Sequence, residues 1–126
     1  MNEQVTALAQ LTASLFGVQL WEMIDGPRGS RTHELARHAL RYVIRRRLNH
    51  MGLTEIGKAV GGRDHSSVSS SLRATKKLLE SNEFPFFSRA VTRLLTAEIP
   101  DLPALELTDV EKKACTPCRS LPSSGA

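Results

Sequence analysis

From residue 5 to residue 95 the apolar side chains return every three or four positions, and each run stops at a glycine, a proline or a polar cluster. That spacing gathers them on one face of an α-helix, whereas a half-buried strand would alternate. Val5, Leu8, Leu11 or Thr12, and Leu15 form the first such face, with Gly17 as its stop. Leu20, Trp21 and Ile24 form a short second turn ahead of the Asp25-Gly26-Pro27-Arg28-Gly29-Ser30 break. Thr32 is placed to cap a third helix, and Glu34 suits the positive end of its dipole. Leu35, Ala39 and Val43, with Ala36, Leu40, Ile44 and Leu48 beside them, give this helix a broad stripe facing a core. Residues 53–60 predict a short helix capped by Thr54, with Ile56, Ala59 and Val60 inward. Gly61-Gly62-Arg63 breaks it, and Asp64 caps a further helix whose inner row is Val68, Leu72, Thr75 and Leu79. A last amphipathic helix carries Phe86 or Phe87, Val91, Leu94 and Leu95. The expected fold is a compact all-α domain over residues 1–97. Four prolines interrupt residues 98–126, which are expected to form a mostly disordered tail with a short helix at 108–114.

Charge is distributed unevenly over this plan. The net charge is +4, yet residues 28–77 carry twelve arginines and lysines against Glu34, Glu55 and Asp64. A basic middle in a small domain points to an anionic partner, nucleic acid first. Arg37, Arg41 and Arg45 fall four apart on the third helix, away from its apolar stripe, with Arg46 and Arg47 at its end. Like charges at that spacing repel by a few tenths of a kcal/mol per pair, a liability that an anion relieves. No run of about 18 apolar residues exists to span a membrane, and Met1-Asn2-Glu3-Gln4 lacks the basic start of a signal peptide. A cytoplasmic protein without a membrane partner is expected.

Three chemical readings fail on the residues themselves. Gly52-Leu53-Thr54-Glu55-Ile56-Gly57-Lys58-Ala59 nearly spells a phosphate-binding loop, but Ala59 has no hydroxyl for magnesium and no strand precedes it. Asp64, His65, Ser66 and Ser67 are the residue types of a hydrolase triad, but adjacent positions on one helical turn point apart and do not line up nucleophile, base and orienter. Cys115 and Cys118 supply two of the four ligands a zinc site needs, and His33, His38, His50 and His65 lie far back in the chain. Neither enzymatic activity, nor a nucleotide, metal or other cofactor, is expected.

The remaining reading is a helix-turn-helix. Two short helices joined by a glycine-containing turn place the start of the second in the major groove, where only short polar side chains fit above the base edges. Asp64, His65, Ser66 and Ser67 meet that demand as acceptors and donors, and Ser69, Ser70 and Arg73 continue the same side.

The run Gly52-Leu53-Thr54-Glu55-Ile56-Gly57-Lys58-Ala59-Val60-Gly61-Gly62-Arg63-Asp64-His65-Ser66-Ser67-Val68 closely resembles the signature of the DNA-binding C-terminal domain of the bacterial replication initiator DnaA. That signature reads Ser-Leu-Pro-Glu-Ile-Gly, then Phe-Gly-Gly-Arg-Asp-His-Thr-Thr-Val. Ala36-Arg37-His38, Tyr42 and Arg45 resemble the family's Ala-Arg-Gln, Tyr and Arg, and the likeness runs from Val5 to Ala97. The resemblance implies an all-helical domain that binds double-stranded DNA at nonamer boxes. It places Asp64, His65 and Ser66, with Ser67 beside them, on major-groove bases. It places Arg28 or Arg31 in the minor groove, Arg37 on the backbone, and Arg45 and Arg63 on phosphates. Arg41, Arg46 and Arg73 complete the expected backbone set. Ser66 and Ser67 stand for two threonines and lose methyls that meet thymine methyls. Thr54 stands for Pro, Val60 for Phe, and the loop before Leu53 is one residue longer. The chain begins at Met1 with this domain, so the family's ATPase module is expected to be absent. The expected function is sequence-specific duplex binding that regulates replication initiation or transcription, with interplay with a replication initiator. The competing expectation is a protein-interaction module whose basic face docks an acidic partner.

Overall fold

The computed structural model describes residues 3–24, 31–48, 50–60, 65–81, 84–97, 99, 107–108 and 111. Its elements are all α-helices: α1 (Glu3–Phe16), α2 (Leu20–Ile24), α3 (Arg31–Arg47), α4 (Leu53–Ala59), α5 (His65–Ser81) and α6 (Pro85–Thr96). None is long and apolar enough to cross a membrane. The third helix is the axis of the fold, touching each of the other five. Its stripe of Ala36, Ala39, Leu40, Val43 and Ile44 is fully buried, together with Leu8 of α1 and Leu94 of α6. Each large side chain so buried contributes about 1.5–3 kcal/mol.

Helix ends explain how the short elements are set. Gly17 adopts φ +68°, a left-handed conformation that costs glycine little. Its amide donates to the Ser14 carbonyl at 3.3 Å, and the Val18 amide donates to the Ala13 carbonyl at 3.0 Å. This pair of bonds satisfies two carbonyls that α1 leaves without an amide. The fourth helix starts at Gly52, whose amide donates to the Glu55 carboxylate at 3.3 Å. The expected cap Thr54 lies inside α4, and Thr32 likewise lies inside α3, which begins at Arg31. Pro85 opens α6, where a missing N–H is harmless.

One apolar assignment differs from expectation, and one open choice is resolved. Trp21 is 61% exposed, and Met23 and Ile24 carry the inner face of α2. Between Phe86 and Phe87 the core takes Phe87, which is fully buried. Phe86 lies half exposed across the edge of the Phe16 ring, centroids 5.4 Å apart. Beyond α6, Thr108 and Glu111 reciprocate: the Thr108 amide donates to Glu111 Oε1 at 2.8 Å, and the Glu111 amide to Thr108 Oγ1 at 3.4 Å. This is the Thr-x-x-Glu capping pattern, and Glu111, a helical residue, is buried against α3.

Candidate nucleic-acid interface

The fourth and fifth helices pack on each other and form the expected pair. Ile56, Gly57 and Val60 are buried on one side, and Val68, Ser71, Thr75 and Leu79 on the other. This leaves the outer face of α5 to His65, Ser66, Ser70, Arg73 and Lys77, all exposed, with Ser67 and Ser69 half-buried. His65 and Ser66 stand at the first turn of the helix, the positive end of its dipole. Asp64 and Arg63 of the turn, and Arg28 before α3, lie outside the described residues.

The arginine row of α3 differs from its sequence reading. It is not uniformly solvated: Arg41 is buried and Arg37 half-buried, while Arg45 is exposed. Most of its guanidiniums instead reach backbone carbonyls at the ends of other elements. Arg37 donates to the Met23 and Glu22 carbonyls at the end of α2, at 2.9 and 2.7 Å. Arg41, only 5% exposed, donates to the Val60 carbonyl at the end of α4 at 3.0 Å and to Ser71 Oγ of α5 at 2.7 Å. Arg47 is buried and donates to the carbonyls of Leu94 and Ala97, closing α6, at 2.9 and 2.7 Å. A cation at a helix C-terminus satisfies carbonyls that have no amide and complements the dipole. Arg45 is exposed while donating to the Met51 carbonyl at 3.0 Å. Arg31 is exposed, pairs with Glu34 at 3.2 Å and lies over the Phe84 ring. Arg46 is engaged differently, with Nε and NH2 donating to the two Glu111 oxygens at 2.8 and 2.9 Å.

Sequence reasoning missed the polar seam between α3 and α5. His38 Nδ1 lies 2.9 Å from Ser71 Oγ, the same oxygen that Arg41 reaches, and Thr75 Oγ1 donates to the His38 carbonyl at 3.2 Å. Burial pushes the His38 imidazole below its ordinary pKa, and Arg41 adds to this; Glu34, 3.5 Å away, pulls upward without overcoming it. The unfolded chain therefore binds a proton at His38 before the folded chain does. Stability is expected to fall as the pH drops through about 6.5, with the loss continuing down to the lowered folded value. Thermal melts from about pH 7.5 to about 5.5 check this, and His38→Gln is expected to flatten the dependence.

Glu111 is the second residue that sequence reasoning missed as part of this surface. It is 1% exposed and accepts from Tyr42 Oη, from Arg46 and from the Thr108 amide. Burial favours its neutral form, but these donors prevail and hold its carboxyl down to about 2. Burial and the adjacent carboxylate push the Tyr42 phenol above its ordinary value. The only local signal for this contact is the Thr-x-x-Glu spacing.

Among the described residues no group of three His, Cys, Asp or Glu is placed to hold a metal ion; Cys115 and Cys118 lie outside them. The bacterial DnaA protein helix-turn-helix family matches residues 5–74, more than half of the chain. The chain belongs to the DnaA helix-turn-helix family. The match runs from Val5 of α1 to Ala74 of α5, so it takes in α4 and the exposed start of α5, while the end of α5, α6 and Glu111 lie beyond. The chain is also 30% identical over 79 residues to the chromosomal replication initiator protein DnaA of Mycoplasma capricolum subsp. capricolum. That likeness covers 63% of this chain and 17% of the DnaA initiator's length.

Proposed function

We propose that this domain binds double-stranded DNA by laying the first turn of α5 in the major groove, at sites resembling the nonamer boxes of the DnaA family. The observation that carries the reading is the exposed, short, polar edge of His65 and Ser66, on a helix whose outer face continues to Arg73 and Lys77. His65, Ser66 and Ser67, with Asp64 ahead of them, read base edges. Arg31, or Arg28, enters the minor groove; the Arg31–Glu34 pair is exposed and therefore weak enough to exchange for DNA. Arg45, Arg73 and Arg63 neutralise phosphates. Arg37 and Arg41 act from within, by fixing α2, α4 and α5 relative to α3. With three to five phosphate contacts instead of a full arginine row, log K is expected to fall with log salt at a slope of roughly −3 to −4.5. Occupancy of such boxes regulates replication initiation or transcription, in interplay with an initiator that reads the same sites.

His65→Ala is the direct test. It is expected to cost about 1–3 kcal/mol at a box-containing duplex and little at a scrambled one. Arg45→Ala weakens both duplexes alike, because phosphates carry no sequence. Fluorescence anisotropy on the two duplexes at about 0.15 M salt reads both effects. A His65→Ala protein with an unchanged box preference removes α5 from the major groove, and a wild-type protein without any preference favours the acidic-partner reading.

A further inference from the structure

A groove of about 620 Å³ lies between α3 and α5. Tyr42 and Leu72 line it together with four cations, Arg45, Arg46, Arg73 and Lys76. Ser69 belongs to the same wall, and His65 and Ser66 stand four and three residues before it on α5. Residues so spaced share one helix face, so the groove continues the proposed base-reading edge by one turn. A duplex backbone leaving that edge runs along these cations.

One of these cations, Arg46, already holds an anion from the chain itself. Thr108 lines the groove, and Glu111 of the same segment grips Arg46 with both carboxylate oxygens. In sequence Glu106 and Asp109 accompany Glu111, giving three carboxylates within six residues. A carboxylate offers the arginine fork the same paired acceptor oxygens that a phosphate offers.

We propose that the Glu111 carboxylate competes with the DNA phosphate backbone for Arg46, so that the protein keeps one cation of its own contact surface occupied. The proposal rests on the DNA-binding reading above. The Arg46 fork that closes on Glu111 is not available to a phosphate, so DNA that recruits Arg46 must displace the carboxylate. That displacement weakens binding at every sequence alike and leaves base discrimination untouched.

The test is duplex anisotropy over a salt series with the wild-type chain, Glu111→Gln and Glu3→Gln. The last removes the same charge from the exposed start of α1, which does not line the groove. Glu111→Gln is expected to bind box and scrambled duplexes about three- to tenfold tighter, with a salt slope steeper by about 1 and an unchanged ratio between them. Glu3→Gln is expected to match the wild type. Circular dichroism and melting establish that each variant folds. Should Glu111→Gln fail to fold, Tyr42→Phe decides, because it removes one hydrogen bond to Glu111 without altering charge; a smaller gain on both duplexes is expected. Equal affinity of the decisive variant and wild type, or a gain matched by Glu3→Gln, overturns the competition and leaves the DNA reading standing. Absence of duplex binding by all the proteins at every salt concentration overturns both.

Discussion

Arg41→Ala is expected to destabilise the domain by about 2–4 kcal/mol. Three losses combine. The Val60 carbonyl loses its guanidinium donor at the end of α4, Ser71 Oγ loses a donor inside the α3–α5 contact, and the arginine stem leaves a void. An unsatisfied buried polar group alone costs about 1–3 kcal/mol. Ser71→Ala is expected to cost somewhat less, about 1–3 kcal/mol, because Arg41 keeps its bond to Val60 while Arg41 and His38 both lose the hydroxyl. Arg41→Lys is expected to resemble Arg41→Ala more than the wild type, since a single ammonium does not reproduce a fork that serves two acceptors on two helices. Denaturant unfolding reads the series: the midpoint shifts and the slope stays constant. An Arg41→Ala midpoint equal to wild type contradicts the role assigned to this side chain. The same variant bears on function, because Arg41 joins both members of the helix-turn-helix to α3, and the angle of α5 depends on that joint.

Phe87→Ala is expected to be the larger loss, about 3–5 kcal/mol. Phe87 is fully buried at the start of α6, and its ring meets the edge of Phe16 with centroids 6.2 Å apart. Removing it deletes apolar burial and leaves a cavity among α1, α3 and α6, which are packed together. Phe86→Ala, one residue earlier, is expected to cost only about 0.5–1 kcal/mol, the worth of a partly exposed aromatic pair. Against a typical total of about 5–15 kcal/mol, the first substitution removes much of the stability and the second does not. Melting curves of the two variants separate them, and similar losses from both contradict the assigned burial.

These two residues also mark how far the sequence was legible. Helical periodicity located the six helices, because apolar side chains three and four apart can meet a core only through a helix. It leaves Phe86 and Phe87 open, since the two are neighbours at the edge of one amphipathic face; both rings meet Phe16, and only Phe87 is taken into the core. The inner face of α5 was read through Leu72, yet Ser71 is the buried residue and Leu72 is half-buried. A serine takes a core position here because Arg41 and His38 supply its hydrogen bonds from another helix, and no local pattern announces that. The sequence likewise presents Arg37, Arg41 and Arg45 as one charged face, whereas Arg41 is buried and only Arg45 is exposed. Like charges four apart look solvent-facing until the helix that bears them proves to have five neighbours.

The candidate site was legible where it depends on local order and obscure where it depends on distance along the chain. The start of α5 at His65 agrees with the local pattern of Gly61-Gly62-Arg63-Asp64, which neighbouring residues in the sequence supply. Glu111 meets Tyr42 and Arg46 from 69 and 65 residues away. Its Thr-x-x-Glu spacing indicates a helix start but says nothing about which cation the carboxylate finds. The two misplaced caps, Thr32 and Thr54, are errors of one or two positions, the usual scale on which helix starts are ambiguous.

In the proposed complex the leading edge of α5 reads bases. Selection of bound sequences from a random duplex pool, at about 0.15 M salt with the wild-type chain and with His65→Ala, tests it most directly. The expected result is a nonamer-length motif enriched by the wild type and degraded by His65→Ala at the positions that this residue contacts. A pool that the wild type leaves unenriched, or the same motif from both proteins, contradicts it.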